Sequence, residues 1–287
     1  VRSLDFQLAG RYENYSDFGN VAKPKIAMAW DIVDGLRVRG SYSEGFRAPN
    51  LEQTNAAQYA RLSTNNDYIR CEADLRLGRI ANFNECSQPA SASLLVSGNP
   101  DPDPEESTNQ SIGLVFQPRF IPVEYGDFTF TLDRWKIEQE KIVGLLGAQS
   151  NIVLDYLNQL QGTSNPNVTR APVTPDDVAF FQGSGITPVG LVVSVQDRFI
   201  NLLPQTVEGL DFGIQWRLRD TPWGSFRASV NAAHLITFER DPGPLVNSLF
   251  EAREAGQINA NTPLPISGTL LGRNGRPEWK VTGSLTW

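Results

Sequence analysis

Along eight stretches of this chain, apolar and polar residues alternate one for one. In the first, Leu4, Phe6, Leu8, Gly10 and Tyr12 fall on one face, and Ser3, Asp5, Gln7, Arg11 and Glu13 on the other. Next, Ile26, Met28 and Trp30 oppose Lys25, Ala27 and Ala29; then Leu36, Val38 and Tyr42 oppose Arg37, Arg39, Ser41 and Ser43. The period recurs at Ile112, Leu114 and Phe116, and at Phe128, Phe130 and Leu132. It is clearest where Leu210, Phe212, Ile214, Trp216 and Leu218 oppose Gly209, Asp211, Gly213, Gln215 and Arg217. Phe226, Ala228 and Val230 oppose Arg227, Ser229 and Asn231, and the last stretch sets Trp279, Val281, Leu285 and Trp287 against Lys280, Thr282, Ser284 and Thr286. A helix would scatter these side chains around its circumference, whereas a strand sorts them onto two faces. Eight strands are predicted.

A soluble sandwich alternates in the same way, so other features decide. The links at 31–35, 118–126 and 219–224 are short, while those after Phe46, Ile142 and Phe238 run to tens of residues. Only the brief link at 16–20 takes a long-loop position. Outer-membrane barrels order short periplasmic turns and long outer loops in this way, and compact soluble domains rarely carry such loops. With strand direction set by the loops, Trp30, Phe116, Phe128, Trp216, Trp223, Phe226 and Trp287 lie at turn ends. Tyr12, Tyr15, Tyr42, Phe46, Phe238 and Trp279 lie at loop ends, as two interfacial girdles would. The opposite parity carries Arg11, Glu13, Lys25, Arg37, Arg39, Gln215, Arg217, Arg227 and Lys280, which a wet lumen accommodates and a sandwich core does not. Trp279 to Trp287 spans about 27 Å of strand, or roughly 20 Å of depth once tilted. The expected fold is all-β: an antiparallel transmembrane β-barrel segment with long extracellular loops.

Composition fits once that alternation is allowed for. Hydrophobic residues make up 40% and mean hydropathy is -0.29, with no apolar run near the roughly 20 residues a spanning helix needs. A net charge of -7 argues against a nucleic-acid partner. The single histidine, His234, follows Ala232 and Ala233 on a strand, where a structural role is expected rather than a catalytic one. No enzyme, cofactor or metal site is expected. Asp101, Asp103, Glu105 and Glu106 could suit a hard cation, but the interleaved prolines lack a sharp glycine turn and favour a solvated acidic bend. Cys71 and Cys86 would close a short loop in an oxidising compartment, the alternative being two unpaired thiols. Short helices are expected at 151–161, ending at Gly162, from the start signal at Thr174-Pro175-Asp176-Asp177, and at 247–254, stopping at Gly256. Packing of the loops on one another is their expected role. Val1 without an initiator methionine or signal peptide suggests a trimmed segment.

Tyr42–Asn50 reads Tyr-Ser-Glu-Gly-Phe-Arg-Ala-Pro-Asn, and Asn99-Pro-Asp-Pro-Asp-Pro-Glu-Glu-Ser107 follows some fifty residues later, directly before a strand. This pair resembles the barrel of TonB-dependent receptors, where a Gly-Phe-Arg-Ala-Pro segment ends one strand and an Asn-Pro-Asp-Leu-x-Pro-Glu-x-Ser motif enters the next. Pro102 stands where leucine is usual. Asp127–Gly144, with Asp133, Trp135 and Lys136, and the run from Asn201 to Gly209 and Asp211 resemble two further strands of that family. The resemblance implies a 22-strand barrel filled by a plug, of which this chain supplies about eight strands within one barrel domain, 1–287, without the plug. It implies TonB-dependent uptake of a scarce solute (a ferric siderophore, cobalamin or an oligosaccharide) across the bacterial outer membrane. The partners would be TonB, through a Ton box outside this chain, the solute, and outer-membrane lipid. Gly45, Phe46, Arg47, Ala48, Pro49, Asn50, Asn99, Pro100, Pro104, Glu105, Asn201, Gly209 and Asp211 are expected to be architectural positions at the barrel rim. A passive porin-like or adhesin barrel is the alternative, as is a complete eight-stranded barrel ending at Trp287.

Overall fold

All eight alternating stretches are strands of one antiparallel sheet in a computed structural model, which describes residues 3–16, 19–55, 57–202, 204–241, 243–265, 268–273 and 275–287. A meander of β1 (Ser3–Tyr15), β2 (Gly19–Val33) and β3 (Leu36–Arg47) comes first. The first long loop then carries α1 (Leu51–Asn55), β4 (Tyr59–Asn66), α2 (Tyr68–Arg76) and β5 (Pro89–Ser97). The chain returns to the sheet with β6 (Glu105–Phe116) and β7 (Asp127–Glu140). A second loop holds β8 (Ile142–Gly144), α3 (Ala148–Leu160), β9 (Val168–Arg170), α4 (Pro175–Phe181), β10 (Val192–Arg198) and β11 (Ile200–Leu202). The hairpin of β12 (Gln205–Thr221) and β13 (Gly224–Arg240) leads to a third loop with α5 (Gly243–Glu254) and β14 (Gly268–Thr269), and β15 (Trp279–Thr286) ends the chain.

The long strands lie in the order β1-β2-β3-β6-β7-β12-β13, with β14 and β15 both against β13. The sheet is an open arc: among the described residues β1 and β15 do not pair with each other. Strands continue further into the turns than the alternation suggests. Only Asp34 and Gly35 separate β2 from β3, and only Pro222 and Trp223 separate β12 from β13. Gly35 takes φ +80°, the left-handed turn geometry that glycine adopts without strain. The predicted link at 16–20 is shorter too, since β1 runs to Tyr15 and β2 starts at Gly19; its residues 17 and 18 lie outside the described residues.

Register shows the two faces directly. One line of paired residues crosses eight strands as Leu4, Trp30, Val38, Leu114, Leu132, Phe212, Ala232 and Val281, every one apolar. The adjacent line reads Asp5, Ala29, Arg39, Gly113, Asp133, Asp211, Ala233 and Lys280. Phe6 is 65% exposed, Leu8 77% and Leu285 72%, because among the described residues nothing packs on the apolar face. A sandwich would bury that face against a second sheet. Instead, an apolar surface of this extent calls for an apolar surrounding.

The rings at the turn ends form a continuous ladder, Phe116 on Phe130, Phe130 on Phe128 and Phe128 on Trp216, with centroids 6.2–6.5 Å apart. At the loop ends the expected girdle is thinner. Tyr12, Tyr42 and Trp279 remain exposed, with His234 stacked on Trp279 at 4.1 Å. Tyr15 and Phe46 meet edge to face, and Arg11 lies over the Phe46 ring. Phe238 changes face, since a bulge pairs Glu208 with Thr237 but Gly209 with Leu235. The extra residue reverses the parity of β13 beyond it, so Phe238 pairs with Val207 on the charged face.

Candidate functional site: the outer rim and loop cap

The three long loops fold together into one cap. Its four-stranded sheet, β4-β5-β10-β9, draws two strands from each of the first two loops, and β5 and β10 run parallel. A single core joins Ile69, Phe83 and Val96 of the first loop, Ile152, Tyr156 and Val195 of the second, and Leu249 and Ile258 of the third. Almost all the fully buried side chains of the protein lie here, not in the sheet of long strands. Loop-on-loop packing is therefore what the loops do, and burial of these side chains drives it.

Local sequence accounts for the helices. α3 begins at Ala148, three residues earlier than the spacing indicates, because the buried Asp197 carboxylate accepts from Gly147 N–H at 2.8 Å and so holds the helix start. Burial pushes the Asp197 carboxyl above its ordinary range, against the lowering by the backbone N–H groups of Gly147 and Leu146. α4 starts as expected: Thr174 and Asp177 form a reciprocal capping box with proline behind it. α5 begins at Gly243, earlier than predicted, and ends before Gly256, which takes φ +70°. The sequence reading missed α1, α2 and the cap sheet. The 67–76 segment has no clean apolar stripe, since Arg70 and Asp74 are themselves buried.

Polar groups stitch the cap across loops. Tyr156 Oη donates to Glu72 at 2.8 Å and accepts from Asn259 N–H at 3.3 Å, so one hydroxyl joins all three loops. Arg170 forms a bidentate pair with Asp67 at 2.7 and 2.9 Å, and its Nε donates to Asp155 at 2.8 Å. Arg70 pairs with Asp177 and lies over the Phe180 and Phe181 rings. Burial works against the Arg170 charge, yet Asp67 and Asp155 hold its guanidinium protonated beyond the ordinary arginine value. Cys71 and Cys86 are joined in a disulfide that ties α2 to the segment leading into β5.

Below the cap, the predicted architectural residues converge at the rim. Gly45, Phe46 and Arg47 pair with Ser107, Glu106 and Glu105, and Arg47 bridges to Glu105, which also accepts from Val143 N–H at 2.9 Å. Ala48 and Pro49 lead to Asn50, whose carbonyl-bearing side chain and Gln53 bond each other's backbone N–H at 2.9 Å. Asn99 N–H donates to Gln53 O at 2.8 Å, and Arg198 reaches the Asn99 side chain. Pro100 follows Asn99 and Pro104 follows Asp103, and Asn201 clamps Asp103 by accepting from its N–H at 2.9 Å and donating to its carbonyl at 2.8 Å. Gly209 and Asp211 are placed differently from expectation: they lie within β12 on the charged face. There Trp135 donates its indole N–H to Asp211 at 3.0 Å, and the absent side chain of Gly209 leaves room for the indole ring. Register places Arg11, Lys25, Arg37, Arg39, Arg217, Arg227 and Lys280 on that same face. Of the acidic group at 101–106, Glu106 binds Lys23 and Lys141; among the described residues no cluster of metal-binding side chains occurs.

A crevice of about 670 Å³ opens where the loops meet, lined by Arg61, Asn65, Gln149, Ser150 and Leu264. Arg61 is exposed there and is a residue the sequence reading did not single out. Its signal is positional: it lies on β4, which among the described residues pairs only with β5 in the cap sheet.

Comparison with known proteins agrees with this geometry. A family model described as TonB dependent receptor-like, beta-barrel matches residues 2–287. A protein of Acinetobacter baumannii named as a probable TonB-dependent siderophore receptor, PirA, is 29% identical over 115 residues, covering 40% of this chain and 13% of that protein. The crystal structure of the siderophore receptor PirA from A. baumannii superposes with a TM-score of 0.50 at 14% identity, covering 82% of this chain and 26% of that one. A mutant of the ferric enterobactin receptor PfeA from Pseudomonas aeruginosa gives 0.50 at 14% identity, over 83% and 25%. The chain thus spans about a quarter of the solved structures it resembles. By the match over nearly its whole length, and by a sheet with one apolar and one charged face, the chain belongs to the TonB-dependent receptor β-barrel family.

Proposed function

We propose that residues 1–287 form part of the barrel domain of a receptor that imports a ferric siderophore across the bacterial outer membrane, driven through TonB. In this reading the plug and Ton box lie outside this chain, lipid surrounds the apolar face, and the loop cap offers the outer ligand surface. The observation that carries it is the polarised build of the sheet: tight turns at one end, and at the other three long loops fused into a single cross-linked cap. A passive pore needs no such cap. The naming of PirA and PfeA for siderophore and ferric enterobactin favours an iron chelate over cobalamin or an oligosaccharide. The crevice at Arg61 supplies a cation suited to an anionic chelate. No catalytic role is proposed, since His234 is stacked against Trp279 on the apolar face.

The test is uptake. Cells expressing the full-length protein should accumulate a radiolabelled ferric siderophore under iron limitation, and should lose this when TonB is deleted. Uptake independent of TonB, together with steady small-solute conductance in planar bilayers, would establish the porin reading instead.

A further inference from the structure

The charged face holds its arginines in two different conditions. Arg37 grips Asp31 at 2.6 and 2.8 Å, and Arg39 reaches past Gly113 to grip Asp133 at 2.9 and 2.7 Å. Nearer the turns of β6–β7 and β12–β13 the pattern breaks. Arg217 and Arg227 are direct cross-strand partners, so two like charges face each other across the ladder, an arrangement that costs stability unless something neutralises it. Among the described residues neither has a side-chain hydrogen bond or an ion pair, and Arg217 Nε is shut off from solvent without an acceptor. Arg119, from the β6–β7 turn, stands beside them and among the described residues donates only to Gln117 Oε1, at 3.2 Å.

These three arginines, with Gln215 and Ser229, line a cavity of about 650 Å³ on the lumen side. Its single carboxylate, Asp127, pairs with Arg217 through the backbone ladder but forms no ion pair with it. The excess of positive charge is local, because the chain as a whole carries -7. Guanidinium groups offer paired N–H donors that match the two oxygens of a carboxylate or phosphate. A buried donor left without an acceptor is costly, so an occupant that supplies oxygens is favoured.

We propose that this cavity is an oxyanion seat, in which Arg217 and Arg227, with Arg119 at its edge, take a carboxylate or phosphate group. The occupant has two possible sources, a carboxylate side chain of a polypeptide segment or a free anion, and both are tested in the full-length protein. In the first arm, Arg227→Lys is treated with a water-soluble carbodiimide. The reagent activates a nearby carboxylate, the lysine amine displaces it as a urea, and an amide bond remains for mass spectrometry to locate. In the second arm, inorganic phosphate is titrated while the thermal midpoint is followed in the wild type and in the Arg217→Gln/Arg227→Gln double variant. Heat-modifiable electrophoretic mobility confirms that each variant is folded.

An amide from position 227 to an aspartate or glutamate other than Asp127 supports the seat and identifies a protein carboxylate. A phosphate-dependent rise in the wild-type midpoint that the double variant lacks supports it and identifies a free anion. If cross-linking is absent or confined to Asp127, and phosphate shifts both proteins equally or neither, the seat does not exist.

Discussion

Replacing Arg170 by methionine puts the cohesion of the loop cap to a quantitative test. Arg170 joins the first loop to the second through Asp67 and Asp155, whose side chains are 2% and 0% exposed. Methionine preserves much of the stem volume but removes all three charge-assisted donors, leaving Asp155 buried without its cation and Asp67 with only Arg70 Nε at 3.6 Å. Breaking a buried pair from one side costs about 3–5 kcal/mol, because the partner charge is stranded away from water. At about 1.4 kcal/mol per tenfold change, amide hydrogen-exchange protection in α2 and α3 should fall between roughly a hundredfold and several thousandfold. The long strands, which among the described residues share no hydrogen bond or ion pair with Arg170, should keep their protection. Adding Asp67→Asn and Asp155→Asn should recover much of the loss, since the stranded charges are then gone. A loss below about tenfold in the single variant, or equal losses in cap and sheet, would show that the ionic cluster does not hold the loops together.

Four further outcomes follow from the same geometry. Reducing the Cys71–Cys86 disulfide, or replacing both residues by alanine, should destabilise the cap by about 3 kcal/mol, read by denaturant-dependent proteolysis within 67–97. Gly209→Ala would place a methyl 2.6 Å from Trp135 Cζ2; the indole must move and release Asp211, seen as a change in near-ultraviolet circular dichroism that Gly10→Ala, with open space around it, should not produce. Leu132→Arg, in the middle of the apolar line, should cost about 2–4 kcal/mol in a bilayer, while Thr131→Arg on the charged face should cost far less; equal costs in refolding titrations would refute the assignment of faces. The N–H and O–H of Thr174, and then Arg70, hold the Asp177 carboxyl below its ordinary range. Its ionised form is therefore the one the fold favours, and its contribution is complete above about pH 4 and lost as the pH falls below that. Protection of α4 should drop over that acid range, and Asp177→Asn should flatten the dependence.

Much of the sheet could be read in advance because a strand's faces are a local property. Whether Phe212 and Asp211 point apart depends only on their being neighbours in extended backbone. The same holds for the alternation from Leu4 to Tyr12 and from Trp279 to Trp287, and for the turn and capping signals at Gly35 and Thr174. The rim residues were legible as a motif, though not as a mechanism. That Asn201 clamps Asp103, 98 residues away, and Arg47 reaches Glu105, 58 residues away, depends on segments far apart along the chain.

The sequence by itself determined the strands, their two faces and the order of short and long links, since each of these follows from residues within a few positions of one another. Tertiary structure alone decided the cap, where the parallel pairing of β5 with β10 and the meeting of Glu72, Tyr156 and Asn259 join segments with no common local pattern. It also decided where local parity fails, as at Phe238, because one extra residue in a bulge reverses every side chain beyond it. And it alone showed which lumen arginines are neutralised: Arg37 and Arg39 find carboxylates across the sheet, whereas Arg217 and Arg227 face each other, a difference set by register.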